Sequence, residues 1–139
     1  MPDTSSTRRK KLSRREQRDL DIEIEFLEGL VRREPKYVEA LQLLAGDYTQ
    51  RGRFEDGLRI DQRLSRLCPN DPMVLYNLAC SYALTGKIER AAATLERAID
   101  RGYRDFRWLR RDPDLAALRT HPLYRKIQQK MRAMKVKVR

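Results

Sequence analysis

The chain repeats itself with a period of 34 residues: Tyr48, Gly52 and Phe54 recur as Tyr82, Gly86 and Ile88, and the small residues Ala45 and Gly57 recur as Ala79 and Ala91. Self-similarity at that spacing marks units of two helices, each too small to bury its own apolar face, that gain stability by stacking on their neighbours. It constrains architecture strongly and activity weakly. A chain built this way presents a surface, and the repeat does not say what binds there.

Turn residues place the elements. Ser13, with Glu16 three residues later, has the form of a capping box and predicts a helix running to about Arg33, with Leu20, Ile24, Leu27, Leu30 and Val31 as its core stripe. Pro35 marks the exit. Helices are then expected over 38–51 and 54–67, the first stopped by Gly52, and over 72–85 and 88–101, stopped by Gly86 and Gly102. The run Pro69, Asn70, Asp71, Pro72 separates the two copies.

Residues 38–71 and 72–105 resemble tetratricopeptide repeats. Leu41, Leu44, Ala45 and Tyr48, and again Leu75, Leu78, Ala79 and Tyr82, fill the family's first-helix pattern; Ala91, Leu95 and Ala98 fit its second helix well, whereas Gly57, Asp61 and Leu64 fit poorly. Pro69 matches the closing proline, and Tyr103 replaces it in the second copy. Residues 13–35 read as the second half of a truncated repeat. Glu23 falls where the complete copies have Gly57 and Ala91, in keeping with a missing preceding helix. Asp112, Pro113, Asp114, Leu115, Leu118, Arg119, Pro122 and Tyr124 resemble a closing segment that follows such repeats in many bacterial proteins. A short helix from Asp114 and a longer one from Pro122 should bring Leu115, Leu118, Leu123 and Ile127 over the end of the last hairpin. The resemblance implies an all-α, right-handed superhelical solenoid of antiparallel helix hairpins, about seven helices in all. Its parts would be a basic N-terminal tail (1–12) without structure, a repeat domain (13–130) whose cap is 106–130, and a basic C-terminal tail (131–139).

In such solenoids the first helix of each hairpin lines a concave face. The periodicity puts Glu39, Gln42, Leu43, Gly46 and Gln50 there from one copy, and Met73, Tyr76, Asn77, Cys80 and Leu84 from the next. Either these form a peptide groove, or Met73, Tyr76 and Cys80 pack against the closing segment. Some family members clamp a C-terminal carboxylate with Lys, Asn, Asn, Lys and Arg. Asn77, Arg107 and Arg111 fall at or near the last three places, but Gln42 and Gly46 replace the first two, so the first hairpin lacks the charge the clamp needs. Arg110 and Arg111 retain the chemistry to hold one acidic group.

The net charge of +11 is concentrated at the ends. Residues 1–18 hold seven Lys/Arg and two acids, residues 119–139 eight Lys/Arg and no acid, and the body between them 16 basic against 18 acidic residues. Arg8, Arg9, Lys10, Lys11, Lys130, Lys135 and Lys137 are therefore candidates for an anionic partner such as RNA, a ribosome or a lipid surface, against the plainer reading of solubilising tails. No aromatic residue follows Tyr124, which disfavours base stacking.

Two departures from the repeat stand out. Asp61 sits where an apolar residue is expected and reads either as a buried carboxylate that needs a partner, which nearby Arg residues could supply, or, more plainly, as a partly exposed ion pair. Ile22 and Phe26 form a second apolar stripe on the first helix, either covered by Leu12 or free for self-association. Catalytic signals are lacking: His121 stands alone before Pro122 as a helix-start residue, Cys68 and Cys80 belong to no ligand pair, and no phosphate loop or nucleophile motif occurs. The expectation is a non-catalytic interaction module without metal or cofactor. It would bind a peptide or helix of a partner protein, with an RNA- or ribosome-associated factor and a secretion chaperone as alternatives. The start of the chain has no apolar signal core and no apolar run is long enough to span a bilayer, so a cytoplasmic location is expected.

Overall fold

The computed structural model describes residues 11–138, with side chains through Met134. Eight α-helices occur among the described residues: α1 (Arg14–Arg33), α2 (Val38–Gln50), α3 (Phe54–Leu67), α4 (Pro72–Leu84), α5 (Ile88–Asp100), α6 (Phe106–Leu109), α7 (Ala116–Arg119) and α8 (Tyr124–Val138), with a 3-10 turn at Pro113–Leu115. Helices α1 to α5 pack each against the next in chain order; α4 and α5 then receive α7, with the 3-10 turn also on α4 and α8 on α5. No helix among the described residues is long and apolar enough to cross a membrane.

Local signals set the ends of the helices. Ser13 and Glu16 cap α1 reciprocally, each side chain accepting from the other's backbone N–H at 3.1 Å. Asp71 caps α4 by accepting from the N–H groups of Met73 and Val74. Gly52 and Gly86 take φ of +83° and +78°, the left-handed conformation that ends a helix at least cost on glycine.

The backbone hydrogen bonds repeat at the period of the sequence. Arg53 N–H donates to the Tyr48 carbonyl and Lys87 N–H to the Tyr82 carbonyl, both at 2.8 Å. Cys68 N–H to Leu64 repeats Glu34 N–H to Leu30, again both at 2.8 Å. Thus α1 ends as α3 does, and the turns after α2 and α4 are the same turn.

Two apolar clusters make the core. The first joins Ile24, Leu27 and Val31 of α1 to α2, α3 and Val74; the second runs from Leu75 through α5 to the closing helices. Small residues permit the close packing within each pair. Ala79, Ala91 and Ala98 are fully buried, and a Cβ added at Gly57 would lie 3.2 Å from Thr49 Oγ1 and 3.7 Å from the Ala45 carbonyl.

The closing segment differs from the sequence expectation in two respects. A short helix, α6, had no signal in the repeat pattern; Asp105 caps it by accepting from Trp108 N–H, and it buries Phe106 and Leu109. There is also no break at residue 130. Helix α8 continues to Val138, and Met131, assigned to the tail by composition, is buried in the core beside Ile127. One apolar stripe drives both stretches, so the basic residues ride on the outside of a docked helix. Residues Arg8, Arg9 and Lys10 lie outside the described residues, as do the side chains of Lys135 and Lys137.

Candidate functional site: a groove between α2 and α4

Helices α2 and α4 lie on either side of a cavity of about 260 Å³. Gln42, Gly46 and Gln50 line it from α2, spaced by four residues on one helix face, and Asn77, Cys80 and Leu84 from α4. Asp61 of α3 and Ser81 sit in its wall, and Asp114 reaches it from the closing segment. Gly46 faces open space, with no atom within 4 Å of the position its Cβ would take.

Asp61 is buried, at 4% exposure, and no arginine among the described residues pairs with it. The expected surface ion pair is thus replaced by a short hydrogen bond from Ser81 Oγ, at 2.5 Å, that ties α3 to α4. Burial pushes the Asp61 carboxyl up to about 6, and the Ser81 bond opposes that rise. Packing explains the misreading: position 61 points into the interface between repeats, where α4 covers it. A signal for the partner did exist. Glu28–Tyr48, Asp61–Ser81 and Gln62–Tyr82 are all hydrogen-bonded pairs 20 residues apart, each joining the second helix of one unit to the first helix of the next.

Other groove candidates are divided by the fold. Leu43 and Met73 are exposed, at 57% and 51%, but do not line the cavity. Tyr76 is not a groove surface. Its ring stacks on Tyr103 at 4.1 Å and its hydroxyl donates to Asp112 Oδ2 at 2.6 Å, all beneath the closing segment. Burial, with the neighbouring Cys80 and Asp112, pushes its phenol well above the ordinary range. Arg107 and Arg111 are exposed outside the cavity, with the Arg111 guanidinium 5.9 Å from the centre of the Trp108 ring. Of the residues at the clamp places, Asn77 thus shares the cavity with Gln42 and Gly46, whereas Arg107 and Arg111 do not line it.

Cys80, Asp112 and Asp114 offer ligand atoms within 4.8 Å of one another. Asp112 is already engaged there. It accepts from Tyr76 and Asp114 N–H and faces the Cys80 thiol at 3.7 Å, so the carboxylate caps the 3-10 turn and anchors the closing segment to α4. Burial and the Asp112 charge push the Cys80 thiol up, the opposite of a thiolate ligand. His121 Nδ1 accepts from Leu123 N–H at 3.1 Å ahead of α8.

At the other end of the molecule Ile22 and Phe26 are 67% and 63% exposed. Leu12 is half-buried, its carbonyl accepting from the Gln17 side chain, and it leaves both uncovered. On α8, Arg125, Lys126 and Arg132 are exposed opposite Ile127 and Met131, whereas Lys130 is tied to Asp100 at 2.7 Å. Lys11 is exposed.

No family model matches the chain. Over 101 residues it is 34% identical to a protein of Arabidopsis thaliana whose name marks it as chloroplastic, a match covering 70% of this chain and 30% of that protein. The chain thus aligns with less than a third of the relative's length.

Proposed function

We propose that this chain is a tetratricopeptide-type interaction module, a short right-handed superhelix whose groove between α2 and α4 receives a peptide or helix of a partner protein. The recurrence of the same turns and interhelical bonds at 34-residue spacing supports the repeat reading. The observation that carries the function is the cavity itself: the first helices α2 and α4 supply most of its lining, and Gly46 leaves space for an incoming chain. Polar amides around apolar Leu64, Val74 and Leu84 suit a peptide that offers both backbone groups and side chains. We assign no catalytic role. The relative's name places that protein in the chloroplast, and groove binding does not depend on compartment.

Crosslinking in cell extract, followed by mass spectrometry, tests this with the full chain and with Gly46→Phe. The bulky side chain should plug the groove without disturbing the helix, so groove partners should be lost and their crosslinks should map to α2 and α4. Partners retained by Gly46→Phe would count against the reading.

A second reading has its own observation. The exposed Arg125, Lys126 and Arg132 of α8 form a basic face that could hold RNA or another polyanion. Binding of that kind weakens steeply with salt and is lost on Arg125→Glu with Arg132→Glu, whereas groove binding survives both.

A further inference from the structure

The composition of the groove is at odds with that of the chain. Lys and Arg outnumber Asp and Glu by 31 to 20 overall, yet the residues lining the cavity include two carboxylates, Asp61 and Asp114, and no base. Gln42, Gln50 and Asn77 add amide carbonyls, which accept hydrogen bonds. Leu64, Val74 and Leu84 supply apolar wall.

We propose that this cavity is a docking pocket for one Lys or Arg side chain of the bound peptide, with the buried Asp61 and the half-buried Asp114 of its lining meeting the charge. The inference rests on the groove reading above and names its specificity. It runs opposite to the carboxylate recognition that the clamp residues would have provided.

Three features carry it. The volume, about 260 Å³, is below the roughly 300–1,000 Å³ of small-molecule sites and suits a single long side chain. Lys and Arg bury an apolar stem while keeping a charged head in polar surroundings, which matches a lining that combines Leu64, Val74 and Leu84 with carboxylate and amide oxygens. Asp61 is a buried carboxylate that accepts from the neutral Ser81 hydroxyl, its one hydrogen-bond donor among the described residues. A cation entering the cavity would offset the cost of its burial, whereas an acidic side chain would add a third carboxyl. The net positive charge of the chain opposes a basic peptide only weakly at this range, because it is carried mainly by the two ends and physiological salt screens charges beyond about 8 Å.

The experiment selects random dodecapeptides by display against the full chain in physiological salt, then measures the enriched peptides by fluorescence polarisation. Enriched peptides should share a Lys or Arg at one position. Replacing that residue by norleucine should weaken binding by about tenfold or more, and so should Asp61→Asn, whereas Asp19→Asn, the same charge change on α1, should leave it unaltered. Gly46→Phe should abolish it. Peptides that need an open groove but carry no basic residue, or that bind Asp61→Asn and the wild type equally, overturn the pocket and leave the groove reading standing. Peptides indifferent to Gly46→Phe, or no enrichment at all, overturn both. The norleucine comparison uses the unaltered protein, so the proposal stays exposed even if Asp61→Asn perturbs folding.

Discussion

The junction of α1 with α2 and the junction of α3 with α4 are related by the 34-residue period, and they solve the same packing problem differently. At the second, Ser81 donates to Asp61, and a buried carboxylate gains a partner in the neighbouring unit. At the first, the equivalent places hold Asp47 and Leu27. Asp47 is 8% exposed, its Oδ2 is buried without a hydrogen-bond partner among the described residues, and the Glu23 carboxyl lies beside it. Burial first, then hydrogen bonding to Glu23 and repulsion by its charge, raise Asp47 to about 7. Tyr48, one residue on, donates to Glu28 at 2.5 Å as Tyr82 receives from Gln62, so the frame of the junction is kept while its polar pair is not. The lesson is that a repeat preserves geometry more readily than it preserves polar satisfaction. The two ends differ as well: the C-terminal end is sealed by α6 to α8, and the α1 edge leaves Ile22 and Phe26 in water.

The largest effect should come from breaking the seal. Leu118→Ala removes a fully buried side chain of the closing segment and should cost about 2–5 kcal/mol in chemical denaturation. A loss below about 1 kcal/mol would mean that the segment is not part of the cooperative core. Next, Ser81→Ala leaves Asp61 buried without its donor and should cost about 1.5–3 kcal/mol; Asp61→Asn in the same background should recover part of that.

The contrast between junctions predicts an opposite sign for Asp47→Asn. Relieving a buried carboxylate that has an acid for a neighbour should stabilise the fold by about 1 kcal/mol near neutral pH. The sign with pH follows from linkage. A carboxyl raised in the folded state binds its proton more tightly there than in the unfolded chain, so its penalty is full above its folded pKa and fades as pH falls toward the unfolded value of 3.8. The gap in melting temperature between wild type and Asp47→Asn should therefore be widest and level above about pH 7, narrow as pH falls, and close only at about pH 4. A constant gap would sink the assignment.

The smallest change is expected at the open edge. Phe26→Ser removes a side chain that touches little and should shift stability by no more than about 0.5 kcal/mol. Its informative readout is mass: a wild type that dimerises with concentration and a Phe26→Ser chain that does not would assign the α1 edge to self-association, and a monomer in both would exclude it.

The helices α1 to α5 were legible in the sequence almost to the residue, because their ends are set by neighbours in the chain: Ser13 with Glu16, Asp71 before Pro72, Gly52 and Gly86 after the last turn. Gln42, Gly46, Asn77 and Cys80 were likewise placed on one surface by helical periodicity. Helix α6 and the continuation of α8 were not legible, since neither repeats and composition alone cannot tell a basic tail from a basic outer face. The fate of Tyr76 and Asp61 was not legible either. Both occupy positions whose environment is made by residues far along the chain, Tyr103 and Asp112 for one and Ser81 for the other.

By itself, then, the sequence determined the period, the limits of α1 to α5 and the apolar face of each of them, since propensity, capping and apolar spacing act over a few residues. Only the tertiary structure decided which carboxylates lose water and whether they find a donor. Desolvation is a property of what packs on top, and the 34-residue period places a neighbour at each junction without choosing its chemistry.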